Sequence, residues 1–500
     1  MSNLEEVKLT RASSLDISSN DLAELSSAAT DLVRDYFESI SERAVFPENH
    51  AGKTTQQLNT KLPVEGAPLK DLIEECRTLL DLNRHNGHPR FFGYVASGST
   101  PIGAYGDLIA SALNVNVTCW RSGPGATEVE RMVIRWLGQL IGYDADAKGL
   151  LTSGGSMANL IALLIASRRK TGAQTASSGL WNSGTPLCVY ASTEVHMSIP
   201  KAADILGFGR DYVRLVPCDD RLRMPVNQLR ERIKHDVAQG LRPFCVVASA
   251  GTVASGTVDP LTDIAAVAKE FDLWFHVDGA YGAPAALDSE SRKLLVGLEQ
   301  ADSVSLDPHK WLYIPIDVGS LLLRDEDAAK QTFSVTDADY IKTHGLSDDA
   351  AFAFWDYGVE LSRRFRALKV WLTLRYYGSR RLAQAISDDI ALAKYLGELV
   401  SAADDFELLT PVELSICCFR YVPPSLNDRL RTDEQVESEL NELNEKIMSR
   451  VQRSGRAYIS NATINGRFAL RVCITNFRTI RQDIEETLNI IREEALEIAD

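Results

Sequence analysis

The stretch LWFHVDGAYGAP (residues 273–284) decides the fold class of this 500-residue chain. An apolar run ends at Asp278, and small residues follow it directly. A strand that ends in a carboxylate is typical of α/β sheets, which place their ligands at the carboxyl ends of strands. Other β-branched runs alternate with amphipathic helical segments between residues 91 and 375, namely LCVYAS (187–192), FCVVASA (244–250) and VGSLLLR (318–324). This alternation predicts an α/β layer fold around a largely parallel sheet.

The chain divides into three regions by its sequence pattern. Residues 1–90 are polar with a helical apolar stripe, which predicts an N-terminal helical segment. Residues 91–378 carry the α/β alternation and are expected to form the large ligand-binding domain. Residues 379–500 combine charged helices with two strand candidates, ELSICCFRYV (413–422) and GRFALRVCIT (466–475), which predicts a smaller α+β domain.

Composition excludes several classes of protein. The formal net charge of −15 opposes binding to nucleic acid or to anionic lipid, since both need a basic surface. The eight cysteines contain no CxxC pair, so we interpret them as reduced core residues and predict no metal site. The start MSNLEEVKLT lacks the pattern of a signal peptide, and no run approaches the roughly 20 apolar residues of a membrane span. We therefore expect a cytoplasmic protein without a membrane partner.

A small-residue turn runs directly into an apolar helix in LLTSGGSMANLIALLIASRRK (150–170). Glycine lets an anion approach the backbone, and the first turn of a helix offers unpaired N–H groups at its positive end. The turn Ser153-Gly154-Gly155-Ser156 is thus a candidate phosphate cradle. Because no Walker lysine and no full GxGxxG are present, ATP and dinucleotides are disfavoured.

Lys310 lies among apolar residues in ADSVSLDPHKWLYIPIDVGS (301–320), 32 positions after Asp278. A lysine in a low-dielectric pocket is expected to have a depressed pKa and to act as a nucleophilic amine toward a carbonyl group. An anion cradle, a carboxylate and such a lysine are the three parts that a pyridoxal 5'-phosphate (PLP) site requires. His196 follows a strand candidate, and its imidazole could stack on the cofactor ring. Together these residues predict a PLP enzyme.

The motifs HVDGAYG (276–282), SLDPHKW (305–311) and TEVHMSIPKAA (193–203) resemble those of the group II PLP-dependent amino-acid decarboxylases. The resemblance extends to HPRFFGYVASGSTP (88–101), GPGATEVE (123–130), LSRRFRALKVWLTLRYYG (361–378) and GRFALRVCITNFRT (466–479). It implies the aspartate-aminotransferase type of fold (fold type I) and an obligate homodimer, with the N-terminal helical segment packed across the dimer.

The same resemblance assigns a role to each matching residue. Lys310 would hold the cofactor as a Schiff base, and Asp278 would pair with its pyridinium nitrogen. His196 would stack on the ring, and Ser97 would lie near the substrate carboxylate. The other expected cofactor contacts are Gly155, Ser156 and Ser303 at the phosphate, Thr252 and Ala280 along the ring, and His309 beside the lysine.

The chemistry implied is loss of CO2 from an L-amino acid. An ionised Asp278 would keep the ring nitrogen protonated, so that the ring accepts the electron pair of the broken bond. The resemblance places Tyr340 of TDADYIKTHG (336–345) where the family carries a mobile-loop tyrosine, and Tyr340 is therefore expected to return a proton to Cα. His344 is a possible assistant, although its spacing from Tyr340 departs from the aromatic branch.

Substrate identity stays open at this point. DPHKW and RRFRALKVW resemble the aromatic branch of the family, whereas HMSIPKAA and AGTVASGTVDP resemble the glutamate and sulfinic-acid branch. We favour an aromatic amino acid, with Phe91, Phe92 and Trp120 as candidate pocket residues. The alternatives are an acidic or sulfinic substrate, a PLP-dependent aldehyde synthase or other PLP reaction, and an inactive dimeric scaffold.

Overall fold

The structure is a computed structural model that describes residues 15, 17–47, 51–172, 174–180, 184–334, 352–426 and 435–499. Its helices are α1 Ser19–Ser39, α2 Ala51–Leu58, α3 Leu69–Asp81, α4 Pro101–Leu113, α5 Pro124–Leu140, α6 Gly155–Thr171, α7 Gln174–Ser178, α8 Ser198–Ile205, α9 Val226–Ala238, α10 Leu261–Glu270, α11 Glu326–Phe333, α12 Ala367–Ala402, α13 Gln435–Arg453 and α14 Arg481–Ala499. Its strands are β1 Lys148–Thr152, β2 Leu187–Ser192, β3 Val213–Val216, β4 Arg242–Ser249, β5 Trp274–Asp278, β6 Ser303–Leu306, β7 Gly319–Leu323, β8 Phe406–Leu408, β9 Ile416–Tyr421, β10 Ser460–Ile464 and β11 Arg467–Cys473.

A seven-stranded sheet in the order β1-β7-β6-β5-β4-β2-β3 forms the centre of the larger unit. The pairs from β6 through β3 are parallel, whereas β7 runs antiparallel to both of its neighbours. Every residue of β2 and β5 is buried, as expected for strands of a sheet covered on both faces. The predicted α/β fold around a largely parallel sheet is confirmed.

The register of this sheet positions the functional residues. Asp278 at the end of β5 pairs with Ser249 at the end of β4 and with Ser305 of β6. Parallel strands bring their carboxyl ends to one edge, so the loops that follow β4, β5 and β6 open on the same side of the sheet.

A second, antiparallel sheet in the order β10-β11-β9-β8 forms the smaller unit, with α13 packed on it and α14 packed against α13. The two strand candidates of the sequence correspond to β9 and β11. Sequence patterns missed β8, which has only three residues, and β10, which is short and alternates buried and exposed residues. Helix α12 crosses the expected domain boundary and is interrupted there by Gly378, whose φ is 70°. The boundary after residue 378 stays a prediction.

The N-terminal helices present apolar side chains to solvent. Neither α1 nor α3 contains a buried residue, although both are amphipathic. Leu22, Leu25, Leu72 and Leu79 are each at least 36% exposed. Among the described residues, no helix is long and apolar enough to cross a membrane.

Candidate active site

A cavity of about 500 Å³ opens at the carboxyl ends of the central strands. It is formed by the turn after β1, the loops after β2 and β4, and the segments that follow β5 and β6. The sequence-predicted residues that line it are Gly155, Ser156, His196, Thr252, Asp278, Ala280, His309 and Lys310. The structure thus brings together the anion turn, the carboxylate and the lysine that the sequence singled out separately.

Asp278 presents a fixed, ionised carboxylate to this cavity. The carboxylate accepts hydrogen bonds from Asn159 Nδ2 at 2.9 Å, from Ser305 Oγ at 3.0 Å and from the Ala280 N–H at 3.2 Å. Burial alone raises the pKa of Asp278, but Lys310 and nearby imidazoles oppose this, and the net pKa lies below its ordinary value. A group with these donors and this pKa stays charged at neutral pH.

Asn159 of α6 connects Asp278 to His196. Its side-chain nitrogen also donates to Ser198 Oγ at 2.9 Å, and Ser198 Oγ lies 2.8 Å from His196 Nδ1. The amide oxygen of Asn159 lies 3.0 Å from His276 Nε2. Because an amide oxygen can only accept a hydrogen bond, His276 Nε2 carries the hydrogen in this contact. Burial, as the largest cause, lowers the pKa of His196, so its ring is neutral and Nδ1 acts as an acceptor. The network therefore fixes both the orientation and the tautomer of His196.

The sequence-based expectation of a depressed pKa for Lys310 is wrong. Burial does lower the pKa of this amine, but Asp307 and Asp278 raise it by more, and the net pKa lies above its ordinary value. The nearest carboxylate oxygen, Asp307 Oδ2, lies 3.0 Å from Lys310 Nζ. In the cofactor-free protein the amine is therefore held as an ammonium ion.

The glycine turn leaves room for an anion at the first turn of α6. The N–H groups of Gly155 and Ser156 lie in the first turn and have no intrahelical acceptor, and no side chain among the described residues caps this helix. A Cβ atom on Gly155 would lie 3.0 Å from both Ala280 Cβ and Asp307 Oδ2. A side chain here would have to displace its neighbours, so glycine is the residue that best keeps the backbone accessible from the cavity.

Ser97 contacts the lysine segment from outside the central sheet. Its hydroxyl donates a hydrogen bond to the His309 carbonyl oxygen at 3.1 Å. His309 is anchored in turn by its Nδ1, which lies 2.7 Å from the Val318 carbonyl oxygen. Ser97 therefore contacts the residue that directly precedes Lys310 in the chain. This position is compatible with its expected place near the substrate.

Five of the described residues that were named from the sequence do not line the cavity, and Ser97 is one of them. Ser303 is fully buried, and its hydroxyl bonds with Trp274 Nε1 and His276 Nδ1. Phe91 and Phe92 are also buried, and Phe91 stacks on Tyr458 with ring centroids 5.2 Å apart. Trp120 is half-buried and pairs its backbone with Phe352. Tyr340 and His344 lie outside the described residues.

Several residues of the site were missed by sequence reasoning. Asn159 had a signal, because it is the one amide in an otherwise apolar helical run beginning at Met157. Ser305 lies two positions from Ser303 on the same strand face, so alternation alone could not decide which serine reaches Asp278. Tyr94, Glu194 and Asp307 also line the cavity, and nothing local in the sequence distinguished them from surface residues.

The donor set fits PLP. The N–H groups of the glycine turn suit a phosphate, the ionised Asp278 suits a protonated ring nitrogen, and the Lys310 amine suits an aldehyde. His196 lines the same cavity, and its imidazole is of a kind that can cover a flat ring.

Comparisons with known proteins agree with this geometry. Residues 51–422 match the family model described as the pyridoxal-dependent decarboxylase conserved domain. An aromatic-L-amino-acid decarboxylase of Bacillus atrophaeus is 35% identical over 97% of this chain and 98% of its own length. A phenylacetaldehyde synthase of Arabidopsis thaliana is 30% identical over 95% of this chain and 96% of its own.

Solved structures have the same fold over nearly the whole chain. Mouse CSAD matches with a TM-score of 0.90 and 29% identity, covering 96% of this chain and 99% of that one. The Oryza sativa TDC structure with PLP and tryptamine matches with a TM-score of 0.88 and 29% identity, covering 98% and 100%. These matches confirm the predicted fold class and the predicted cofactor. The chain belongs to the pyridoxal-dependent decarboxylase family, and its cofactor is PLP.

Proposed function

We propose that this enzyme converts an aromatic L-amino acid into the corresponding amine and CO2. The observation that carries the proposal is the pairing, in one cavity, of a buried ionised carboxylate at Asp278 with a lysine amine at Lys310. In this reaction the Cα–carboxylate bond breaks, and a proton takes the place of the carboxylate on Cα.

Bound PLP supplies an electron-withdrawing ring that accepts the electron pair of the broken bond. Asp278 stabilises the proton on the ring nitrogen, because a charged carboxylate in a low-dielectric site strongly favours a cation beside it. Gly155 and Ser156 would hold the phosphate through their N–H groups, and Lys310 would hold the aldehyde carbon. His196, neutral and held by Ser198, covers one face of the ring and excludes water from it.

We assign the proton donor to Tyr340 from the family resemblance. Tyr340→Phe is expected to lower the rate of amine formation by about 10²-fold, since general acid catalysis contributes at least this factor. With oxygen as co-reactant, aldehyde, ammonia and hydrogen peroxide should become the main products. Separate assays of amine and of peroxide measure the two outcomes.

A matched control for this variant is Tyr376→Phe on α12, where the side chain is 64% exposed. It should keep the wild-type ratio of amine to aldehyde. Amine formation within twofold of wild type in Tyr340→Phe, without peroxide, would contradict the assignment. Aldehyde as the main product of the wild-type enzyme would instead favour the synthase alternative.

The charges of the cavity favour an aromatic over an acidic substrate. The carboxylates of Glu194, Asp278, Asp307 and Asp317 line it, against the single ammonium group of Lys310. Burial raises the pKa of Glu194, so its share of the negative charge grows as the pH rises, and no basic side chain among the described residues pairs with it. A substrate with a second carboxylate would meet repulsion here, whereas an aromatic ring with a hydroxyl or N–H group could donate a hydrogen bond.

A panel of L-amino acids with detection of CO2 and amine tests this substrate class. We expect kcat/KM for tyrosine, tryptophan or 3,4-dihydroxyphenylalanine to exceed that for glutamate or cysteine sulfinate by at least about 10²-fold. Glu194→Gln should raise the relative rate with glutamate about tenfold, because it removes one repulsive charge. The exposed Glu290→Gln serves as the matched control. Equal rates with glutamate and tyrosine in the wild-type enzyme would overturn the aromatic assignment.

We further propose a homodimer. Helix α4 also exposes Leu108, Ile109 and Leu113, in addition to the exposed leucines of α1 and α3, and exposed apolar patches mark protein interfaces. Sedimentation equilibrium at micromolar concentration should give twice the chain mass, and a monomer would contradict it. A cytoplasmic location stays a prediction from the sequence.

A further inference from the structure

Asp389 of α12 is a buried carboxyl group that the proposed reaction does not use. It is 1% exposed, it does not line the cavity, and it forms no ion pair within the part of the chain that the structure describes. Its Oδ2 atom accepts hydrogen bonds from Trp311 Nε1 at 2.9 Å and from the Tyr313 hydroxyl at 2.7 Å. Both donors belong to the turn that begins at Lys310. One buried oxygen of α12 therefore holds two side chains of the lysine segment.

Trp311 connects Asp389 to the lysine and to the wall of the cavity. It follows Lys310 directly and is fully buried. Its ring stacks on Tyr281 with ring centroids 5.0 Å apart, and Tyr281 lines the cavity. The indole has a single N–H donor, so the bond to Asp389 fixes its rotation against Tyr281. A shift of this indole would move the adjoining backbone of Lys310.

Tyr313 has a backbone conformation that needs support from its surroundings. Its φ is 56°, in the left-handed region that bulky residues rarely adopt. Its N–H donates to the Lys310 carbonyl oxygen at 3.3 Å, and its own carbonyl oxygen accepts from the Thr100 N–H at 2.9 Å. Its hydroxyl donates to Asp389. Since such a conformation persists only where the surrounding contacts determine it, the bond to Asp389 helps to maintain the turn that carries Lys310.

The protonation state of Asp389 suits an uncharged anchor. Burial, the largest cause, raises its pKa to about 8, and hydrogen bonds from Tyr313, Trp311 and the Asn476 backbone only partly oppose this. The carboxyl group is therefore mostly neutral at pH 7. Because both side-chain donors meet at Oδ2, the proton of the neutral acid belongs on Oδ1. An amide whose oxygen lies at the Oδ2 position has the same pattern of acceptor and donor.

We propose that Asp389 is a positioning residue for Lys310 and thereby favours covalent attachment of the cofactor. Through Trp311 and Tyr313 it fixes the turn from which the lysine amine reaches the aldehyde carbon. Helix α12 also packs on β8 and β9 of the small sheet. The carboxyl group thus connects the smaller unit to the residue that holds the cofactor.

Two ligands separate the lysine linkage from the rest of cofactor binding. PLP reacts with the lysine amine, whereas 4'-deoxypyridoxine 5'-phosphate has a methyl group in place of the aldehyde and cannot form this bond. Fluorescence titration of the cofactor-free protein gives a Kd for each. Asp389→Leu keeps a branched side chain but leaves the two buried donors without an acceptor. We expect it to raise the Kd for PLP about tenfold and that for the analogue less than about twofold.

Asp389→Asn tests whether the acceptor oxygen is the cause. Its amide oxygen can accept from both donors, so the Kd for PLP should lie within about threefold of wild type. Tyr143→Phe is the matched control, because it removes a buried hydroxyl that donates to the Ala301 carbonyl oxygen, outside the lysine segment. It should leave both Kd values unchanged. If Asp389→Leu does not fold, Tyr313→Phe takes its place, with an expected rise of about threefold for PLP alone.

Equal weakening of both ligands in Asp389→Leu would indicate a purely structural role and overturn the proposal, and so would an unchanged Kd for PLP. A Kd for PLP as high in Asp389→Asn as in Asp389→Leu would overturn the role of the acceptor oxygen. These binding measurements do not depend on which amino acid the enzyme decarboxylates. Their failure is therefore distinct from a failure of the proposed function.

Discussion

Lys310→Ala is expected to lower kcat/KM for decarboxylation by more than about 10⁴-fold, the size of loss seen when a covalent catalytic residue is removed. Lys310 carries the only lysine amine that lines the described cavity, and its Nζ atom lies 3.0 Å from Asp307 Oδ2. Without this amine, the cofactor cannot be attached covalently to the protein, and a lysine linkage cannot re-form after each turnover. The variant should also lack the visible absorbance band near 420 nm that is expected of a protonated PLP–lysine linkage.

The exposed Lys234→Ala is the control for this variant and should keep both activity and absorbance. A Lys310→Ala protein that retained a tenth of the wild-type kcat/KM would contradict the covalent role assigned to Lys310. A wild-type protein without the absorbance band, whose properties are unchanged by Lys310→Ala, would favour the inactive scaffold.

Asp278→Asn should lower kcat by about 10²- to 10⁴-fold, the range for losing one well-placed charge at a reacting centre. The neutral amide keeps the size of the side chain, but it cannot stabilise a proton on the ring nitrogen. Its oxygen can still accept from one of Asn159 Nδ2 and Ser305 Oγ, which donate to the carboxylate at 2.9 and 3.0 Å, but its NH2 group would face the other donor. Cofactor content, measured by absorbance after alkali release, separates weaker binding from slower chemistry.

A chemical rescue provides the sharper test of Asp278. PLP methylated on its ring nitrogen carries a permanent positive charge, so it should restore part of the kcat of Asp278→Asn but should not help the wild type. Activity of the variant within fivefold of wild type, or no rescue at equal cofactor content, would contradict the role proposed for this carboxylate.

The parts of the site with a local signal could be predicted from the sequence. Asp278 ends an apolar strand, the glycine turn begins an apolar helix, and Lys310 interrupts apolar surroundings. Each of these signals depends on residues a few positions apart. The order of the strands in the central sheet then brings Asp278, the glycine turn and Lys310 to one edge of that sheet. The α/β fold could be predicted for the same reason, because strand and helix periods are local properties.

Properties that depend on distant or three-dimensional contacts could not be predicted. The pKa of Lys310 has the opposite direction from the one expected, because the bend after β6 turns Asp307 back onto the amine. Period-two alternation placed Ser303 and Ser305 on one face but could not show that Ser303 bonds with Trp274 and His276. Phe91 and Phe92 were chosen as aromatic residues near a motif, but Phe92 is buried in the core of the small sheet and Phe91 is buried against Tyr458.

The most direct test of the central claim is reduction of the purified enzyme with borohydride, followed by protease digestion and peptide mapping. The account predicts one reduced pyridoxyl adduct, on the peptide that contains Lys310. An adduct on a different lysine, or none in a protein that has been saturated with PLP, would contradict it.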